Sequence, residues 1–108
     1  MFSIGLSMNL RPGCYEEYKD AHDNLWPDLA ASMEVNKVSM AIYCQEDQLF
    51  LHAVAPTEDD WEKSRNVEVL DRWSEYMAKL LETDADGNII FNELPEAFAF
   101  GMFEEGTP

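Results

Sequence analysis

The order in which extended and helical patterns follow one another is the feature that most constrains the fold of this chain. Residues 2–10 alternate apolar side chains with a period of two, which is typical of a half-buried strand. A helical stretch is predicted from about residue 14 to residue 33, followed by strands over 38–44 and 48–55. Two further helices are predicted between residues 57 and about 80, and a last strand over 97–103. The predicted order is therefore βαββαβ.

This order predicts an α+β fold of the ferredoxin-like type, a split βαβ arrangement. Its four-stranded antiparallel sheet would be covered by helices on one face. No linker, repeat or low-complexity segment divides the chain, so residues 1–108 are predicted to form a single domain. The other sheet face would need cover, and pairing of two such sheets is a common solution. We therefore expect a homodimer.

Two local signals refine the predicted helices. Pro27 lies inside the first helical stretch, where it removes a backbone donor and clashes with the preceding turn. An interruption is therefore expected near Trp26. Thr57 and Asp60 have the spacing of a capping box, with Thr57 as the N-cap of the second helix.

The predicted strands over 38–44 and 48–55 are expected to form a hairpin through the short turn at Glu46–Asp47. A two-residue turn pairs Ala41 with His52 and Met40 with Ala53. His52 would then lie on the sheet face opposite Met40, because side chains alternate along a strand. A structural role is favoured for His52.

The charge balance excludes several classes of partner. The 7 Lys and Arg residues against 22 Asp and Glu residues give a formal net charge of −15. Nucleic acid or an anionic membrane surface would repel such a chain.

No apolar stretch approaches the ~20 residues of a membrane span. No signal peptide is visible at the N-terminus. The two cysteines, Cys14 and Cys44, cannot form a disulfide scaffold, and their spacing is not that of metal ligands. Two free thiols are typical of a reducing compartment, so a cytoplasmic location is expected.

Candidate chemistry is concentrated in the first helical stretch. Tyr15, Tyr18, His22 and Trp26 are spaced so that one helix would carry them along one stripe. An aromatic stripe alone is more often part of a core. The imidazole of His22 favours a site, because a histidine with the ordinary pKa of about 6.5 can donate and accept protons at neutral pH. A tyrosine one turn earlier adds a hydroxyl and a ring face, which suit a sugar pocket.

Several motifs, in order along nearly the whole chain, resemble the L-rhamnose mutarotase family. The most specific of them is the Tyr-x3-His-x3-Trp-Pro element. The residues that carry the resemblance are Glu16-Glu17-Tyr18, His22, Trp26-Pro27-Asp28-Leu29, Ala41-Ile42-Tyr43, Trp61, Arg72-Trp73, Tyr76-Met77, Asn92-Glu93-Leu94 and Phe98.

The resemblance implies an isomerase that interconverts the α and β anomers of L-rhamnose or a related 6-deoxy sugar. It implies a dimeric α/β barrel, with no cofactor and with a monosaccharide as the small-molecule partner. The histidine that matches His22 would transfer the proton, while the residues that match Tyr18 and Trp73 would bind the sugar. The chemistry is consistent with these residue types, because ring opening needs only positioned acid–base groups.

Two substrate-binding positions depart from the family pattern. Met40 stands where the family has a tyrosine, and Ser74 stands where it has a second tryptophan. The first change removes a hydrogen bond and the second enlarges the pocket. An altered sugar preference, or a non-catalytic ligand-binding role on the same scaffold, therefore stays open as an alternative.

The acidic segment from Glu82 to Glu93 partly matches a calcium loop. Its carboxylates and its glycine at position 87 have much of the required spacing. Glu82 replaces the usual first Asp, however, and Pro95 disturbs the exit. An acidic connection without metal is the favoured interpretation.

Overall fold

The computed structural model describes residues 1–104, in which four strands form one antiparallel sheet. The strands are β1 (Phe2–Asn9), β2 (Ser39–Gln45), β3 (Gln48–Ala55) and β4 (Asn92–Glu93), and their order in the sheet is β2-β3-β1-β4. Because β3 lies between β1 and β2, the first βαβ unit is split. The predicted ferredoxin-like α+β topology is confirmed.

Four helices connect the strands: α1 (Tyr15–Asp23), α2 (Pro27–Val35), α3 (Glu58–Arg65) and α4 (Glu68–Met77). The first predicted helical stretch is divided where Pro27 indicates. Trp26 has an extended backbone, with φ −57° and ψ 131°, and Pro27 occupies the first turn of α2, where its missing N–H costs nothing. Within residues 1–104 none of the helices is long and apolar enough to cross a membrane.

The predicted cap of α3 is confirmed. The Thr57 hydroxyl oxygen accepts the backbone N–H of Asp60 at 3.1 Å, and the hydroxyl donates to the Asp60 carboxylate at 2.8 Å. This satisfies one of the backbone donors that a helix N-terminus leaves free.

The register predicted for the hairpin is also confirmed. Met40 pairs with Ala53 and Ala41 with His52, around a turn in which Glu46 has a positive φ of 58°. Met40 therefore shares a sheet face with the apolar β3 residues of the core. His52 lies on the other face, where its ring is 2.9 Å from the Ser3 hydroxyl and 5.1 Å from the ring of Phe103.

The hydrophobic core lies between one face of the sheet and the four helices. Alternate residues of β1 and β3 point into it, as the period of two predicts. Its most buried members include Met8, Leu10, Leu49, Ala53 and Leu81. The opposite face carries Tyr43 exposed on β2.

The predicted last strand over 97–103 is wrong. The fourth strand is the short β4, which pairs with Leu6 and Ser7 of β1, while Gly101–Phe103 form a 3₁₀ turn. Leu94 N–H still donates to the Gly5 carbonyl at 2.8 Å, but Pro95 has no N–H with which to extend the ladder. The alternating Ala and Phe residues that follow therefore have no strand partner.

Residues 82–90 form a turn closed by hydrogen bonds within the segment, among them that from Ile90 N–H to the Glu82 carbonyl at 3.1 Å. Asp84 Oδ1 accepts the N–H groups of Asp86 and Asn88 at 2.9 and 3.0 Å, and Thr83 bridges to Ile89. Among the residues that the structure describes, no group of three or more His, Cys, Asp or Glu side chains could hold a metal ion.

Candidate active site

A cavity of about 340 Å³ opens between the helices and the core face of the sheet. This main cavity is lined by Tyr18 and His22 of α1, Met40 of β2, Arg65 of α3 and Trp73 of α4, together with mostly apolar neighbours. Its volume lies at the small end of the ~300–1,000 Å³ typical of small-molecule sites. A side cavity of about 60 Å³ shares these five residues and is also lined by Ser74.

The imidazole of His22 is held in one tautomer. Its Nδ1 lies 2.8 Å from the backbone carbonyl oxygen of Tyr18, one turn earlier in α1. A carbonyl oxygen can only accept, so Nδ1 carries the hydrogen and Nε2 keeps its lone pair. Burial lowers the pKa of His22 below its ordinary value of 6.5, although the hydrogen bond acts in the opposite direction. At neutral pH His22 is therefore a neutral base with Nε2 as its proton acceptor.

Two aromatic rings flank this imidazole. The Tyr18 ring centroid is 4.2 Å from that of His22, and the Trp73 centroid is 5.1 Å away in an edge-on arrangement. Trp26 and Tyr76 extend the cluster, with centroids 5.1 and 6.1 Å from that of Trp73. Such edge-to-face contacts fix ring orientation as well as burying apolar area. His22 is thus restrained on both sides as well as through Nδ1.

Tyr18 presents a neutral phenol to the site. Its side chain is buried, and burial raises its pKa above the ordinary value, with a smaller contribution in the same direction from Cys44. The hydroxyl therefore stays protonated through the neutral range and can donate or accept a hydrogen bond. It cannot act as the base.

The structure brings together the five site residues predicted from the sequence. Tyr18, His22, Met40 and Trp73 line the main cavity, whereas Ser74 lines only the side cavity. The predicted stripe on one helix is wrong in one respect. Trp26 follows the end of α1 and reaches Trp73 from the junction with α2, because Pro27 starts a new helix there.

Arg65 is a cavity residue that the sequence pattern did not single out. It lines both cavities, and its guanidinium carbon lies 5.3 Å from the ring centroid of Trp61. Burial lowers its pKa below the ordinary value. A basic residue in the last turn of a helix is usually a solvated complement to the helix dipole, so its position in the sequence gave no signal of a cavity.

Comparison with known proteins identifies close relatives. A family model described as L-rhamnose mutarotase matches residues 3–100. The L-rhamnose mutarotase of Bacillus subtilis is 33% identical over 87 residues, which cover 78% of this chain and 84% of that protein. That of Bacteroides thetaiotaomicron is 34% identical over 94 residues, with 84% and 90% covered. The crystal structure of an L-rhamnose mutarotase from Formosa agariphila matches with a TM-score of 0.78 at 26% identity, covering 94% of this chain and 100% of that chain.

Proposed function

The chain belongs to the L-rhamnose mutarotase family, and we propose that its main cavity interconverts the α and β anomers of L-rhamnose or a related 6-deoxy sugar, with His22 as the proton-transfer residue. The protein is an isomerase that acts on sugar anomers. A non-catalytic ligand-binding role is not favoured, because the relatives are named as enzymes. The observation that carries the role of His22 is its neutral, tautomerically fixed imidazole on the wall of an aromatic cavity.

The proposed reaction moves one proton between two oxygens of the same carbon. His22 Nε2 accepts the proton of the anomeric hydroxyl, and the C1–O5 bond breaks as the carbonyl forms. The imidazolium then returns that proton to the ring oxygen, which becomes a hydroxyl. Rotation about the C1–C2 bond and the reverse sequence close the ring as the other anomer. Protons and electrons balance, and an acid–base group of this kind contributes about 10²–10⁴-fold to the rate.

The other cavity residues would position the sugar. The neutral Tyr18 hydroxyl is suited to hydrogen-bond a sugar hydroxyl, while the faces of Tyr18 and Trp73 are suited to the C–H face and methyl group of a deoxysugar. Met40 offers an apolar contact in place of a phenol, and Ser74 leaves the side cavity open where an indole would fill it. We expect these two positions to tune sugar preference. The relay itself requires no cofactor.

Exchange spectroscopy of the anomeric protons tests this function directly. The protein should increase the rate of exchange between the α and β signals of L-rhamnose above the buffer rate, and a series of 6-deoxy sugars should rank its preference. An exchange rate equal to that of buffer for every sugar would contradict the proposal.

We also propose that residues 1–108 act as one domain within a homodimer, the dimeric α/β barrel. The support is the sheet face away from the helices, where Tyr43 is 69% exposed, and the exposed aromatic side chains of Phe98 (82%) and Phe100 (75%). Exposed aromatic area of this kind is typical of interfaces. Sedimentation equilibrium should give twice the chain mass of 12.4 kDa, and a monomer at micromolar concentration would contradict this.

A cytoplasmic location is proposed on the state of the thiols. Cys14 and Cys44 are both free cysteines, which suits a reducing compartment. Cell fractionation would test this location, and recovery of the protein in a secreted fraction would contradict it.

A further inference from the structure

Arg65 places a positive charge at the candidate active site. It lines the main cavity and the side cavity, as His22 does, so both residues border the same space. Its uncharged neighbours there include Tyr18, Met40 and Trp73, while Lys19 and Asp23, which pair with each other, also line the main cavity. The mechanism proposed above moves a proton between neutral groups and does not use this guanidinium.

No carboxylate of the described residues neutralises Arg65. The ion pairs in residues 1–104 are Lys19–Asp23 and Lys63–Asp59, so the one of these carboxylates that borders the main cavity, Asp23, is already paired with Lys19. The Arg65 guanidinium lies over the ring of Trp61, the face from which a cation approaches an aromatic ring. That contact leaves the in-plane N–H donors of the guanidinium free for another ligand.

Those donors remain within reach of the cavity. In the described part of the chain, Arg11 Nε is the one side-chain nitrogen or oxygen that is both fully buried and without a hydrogen-bond partner. The Arg65 nitrogens also have no hydrogen bond to residues 1–104. Because they are not in that category with Arg11 Nε, they are not fully buried and keep some contact with open space. Partial burial has nevertheless removed water from the group, since it lowers the Arg65 pKa. A half-desolvated guanidinium with free donors is suited to charge-assisted, bidentate hydrogen bonds with an anion.

We propose that Arg65 binds an anionic substituent of the sugar, so that the preferred substrate is a 6-deoxy sugar that carries an acidic group. This rests on the proposed function and narrows its substrate class. The planar fork of a guanidinium matches the oxygens of a carboxylate or a sulfate ester, and either group on the ring would supply the missing charge. Met40 and Ser74 leave room for such a group where the family pattern has larger aromatic side chains. In a chain of net charge −15, a local cation is also what an acidic substrate requires to overcome the overall repulsion.

The experiment compares matched sugars that differ only in charge. Anomeric exchange is measured for a carboxymethyl ether of L-rhamnose and its uncharged carboxamide, and for a sulfate ester of L-rhamnose and L-rhamnose itself, with the wild-type protein and with Arg65→Gln. The expected result is a higher kcat/KM for at least one acidic sugar than for its neutral match. Arg65→Gln should lower that ratio by roughly ten- to a hundredfold, as loss of a hydrogen-bonded charge does. The two pairs distinguish a carboxylate from a sulfate as the recognised group.

Two controls separate this role from packing on Trp61. Lys63→Gln removes one positive charge from the same helix outside the cavity and should leave the ratio unchanged. Arg65→Lys keeps the charge without the fork and should retain part of the preference. If Arg65→Gln lowers the thermal midpoint but leaves the ratio unchanged, the residue is structural and the inference is wrong.

A separate binding measurement distinguishes failure here from failure of the proposed function. Calorimetric binding of the acidic sugars should be weakened by Arg65→Gln whether or not exchange is catalysed. Exchange of L-rhamnose without any preference for an acidic sugar would overturn this inference alone. Binding of an acidic sugar that depends on Arg65, without exchange of any sugar, would support it and contradict the proposed catalysis.

Discussion

Replacing His22 with Asn separates the proton relay from the local structure that holds it. The Asn side-chain NH₂ group lies close to where imidazole Nδ1 was, so it can still donate to the Tyr18 carbonyl, which His22 now reaches at 2.8 Å. What the substitution removes is Nε2, the atom proposed to exchange protons with the sugar. The expected loss in kcat is about 10²–10⁴-fold, the usual contribution of a positioned acid–base group.

The cost in stability should be much smaller than this kinetic loss. The substitution removes two ring contacts, with centroids 4.2 Å from Tyr18 and 5.1 Å from Trp73. Contacts of this kind contribute about 0.5–1.5 kcal/mol each, so a decrease of roughly 1–3 kcal/mol in the free energy of unfolding is expected. The Tyr18 carbonyl does not lose its hydrogen bonding, since it lies within α1 and still accepts a backbone N–H of that helix.

The assay is saturation transfer between the two anomeric proton signals of L-rhamnose, with urea unfolding measured on the same samples. His52→Asn is the matched control, because His52 lies on the sheet face away from the cavity and bonds to Ser3. It should keep the wild-type exchange rate. A folded His22→Asn protein that exchanges the anomers within threefold of the wild-type rate would refute the proposed role of His22.

Three further predictions concern the pH dependence and stability of the fold. Because the pKa of His22 is below 6.5 in the folded protein, the unfolded chain takes up this proton first on acidification. The free energy of unfolding should therefore rise with pH up to about 6.5 through this group and not above it, and urea titrations of His22→Asn should lack that component. Leu49→Ala should lower the free energy of unfolding by about 2–5 kcal/mol, since the side chain is 1% exposed, and a loss below ~1 kcal/mol in urea unfolding would contradict the core described above. Thr57→Ala should cost about 0.5–2 kcal/mol through loss of the α3 cap, measured by thermal unfolding, whereas Thr57→Ser should restore most of it.

Much of the fold could be predicted because its signals are local. The alternation in β1, the cap at Thr57 and the proline that separates α1 from α2 each act within a few residues. The register of the hairpin also followed from its turn, since a two-residue connection leaves one pairing, with Met40 opposite Ala53. The positions of His22 and Tyr18 on one helix were likewise set by spacing alone.

The last strand could not be predicted in this way, since a strand needs a partner as well as a pattern. Residues 97–100 alternate Ala with Phe, yet β1 offers its free edge to Asn92 and Glu93. Pro95 then ends the ladder. Which segment pairs with an edge depends on where the rest of the sheet already lies, and this information is absent from a short window of sequence.

The sequence by itself determined the order of the elements, the register of the hairpin and the helix that carries the proposed proton-transfer residue. Only the tertiary structure decided what surrounds that residue. Packing brings Trp73 of α4 against His22 of α1 and withdraws Arg65 from water beside the same cavity. Periodicity and caps depend on neighbours along the chain, whereas burial and the resulting pKa values depend on side chains from distant segments that meet only in the folded protein.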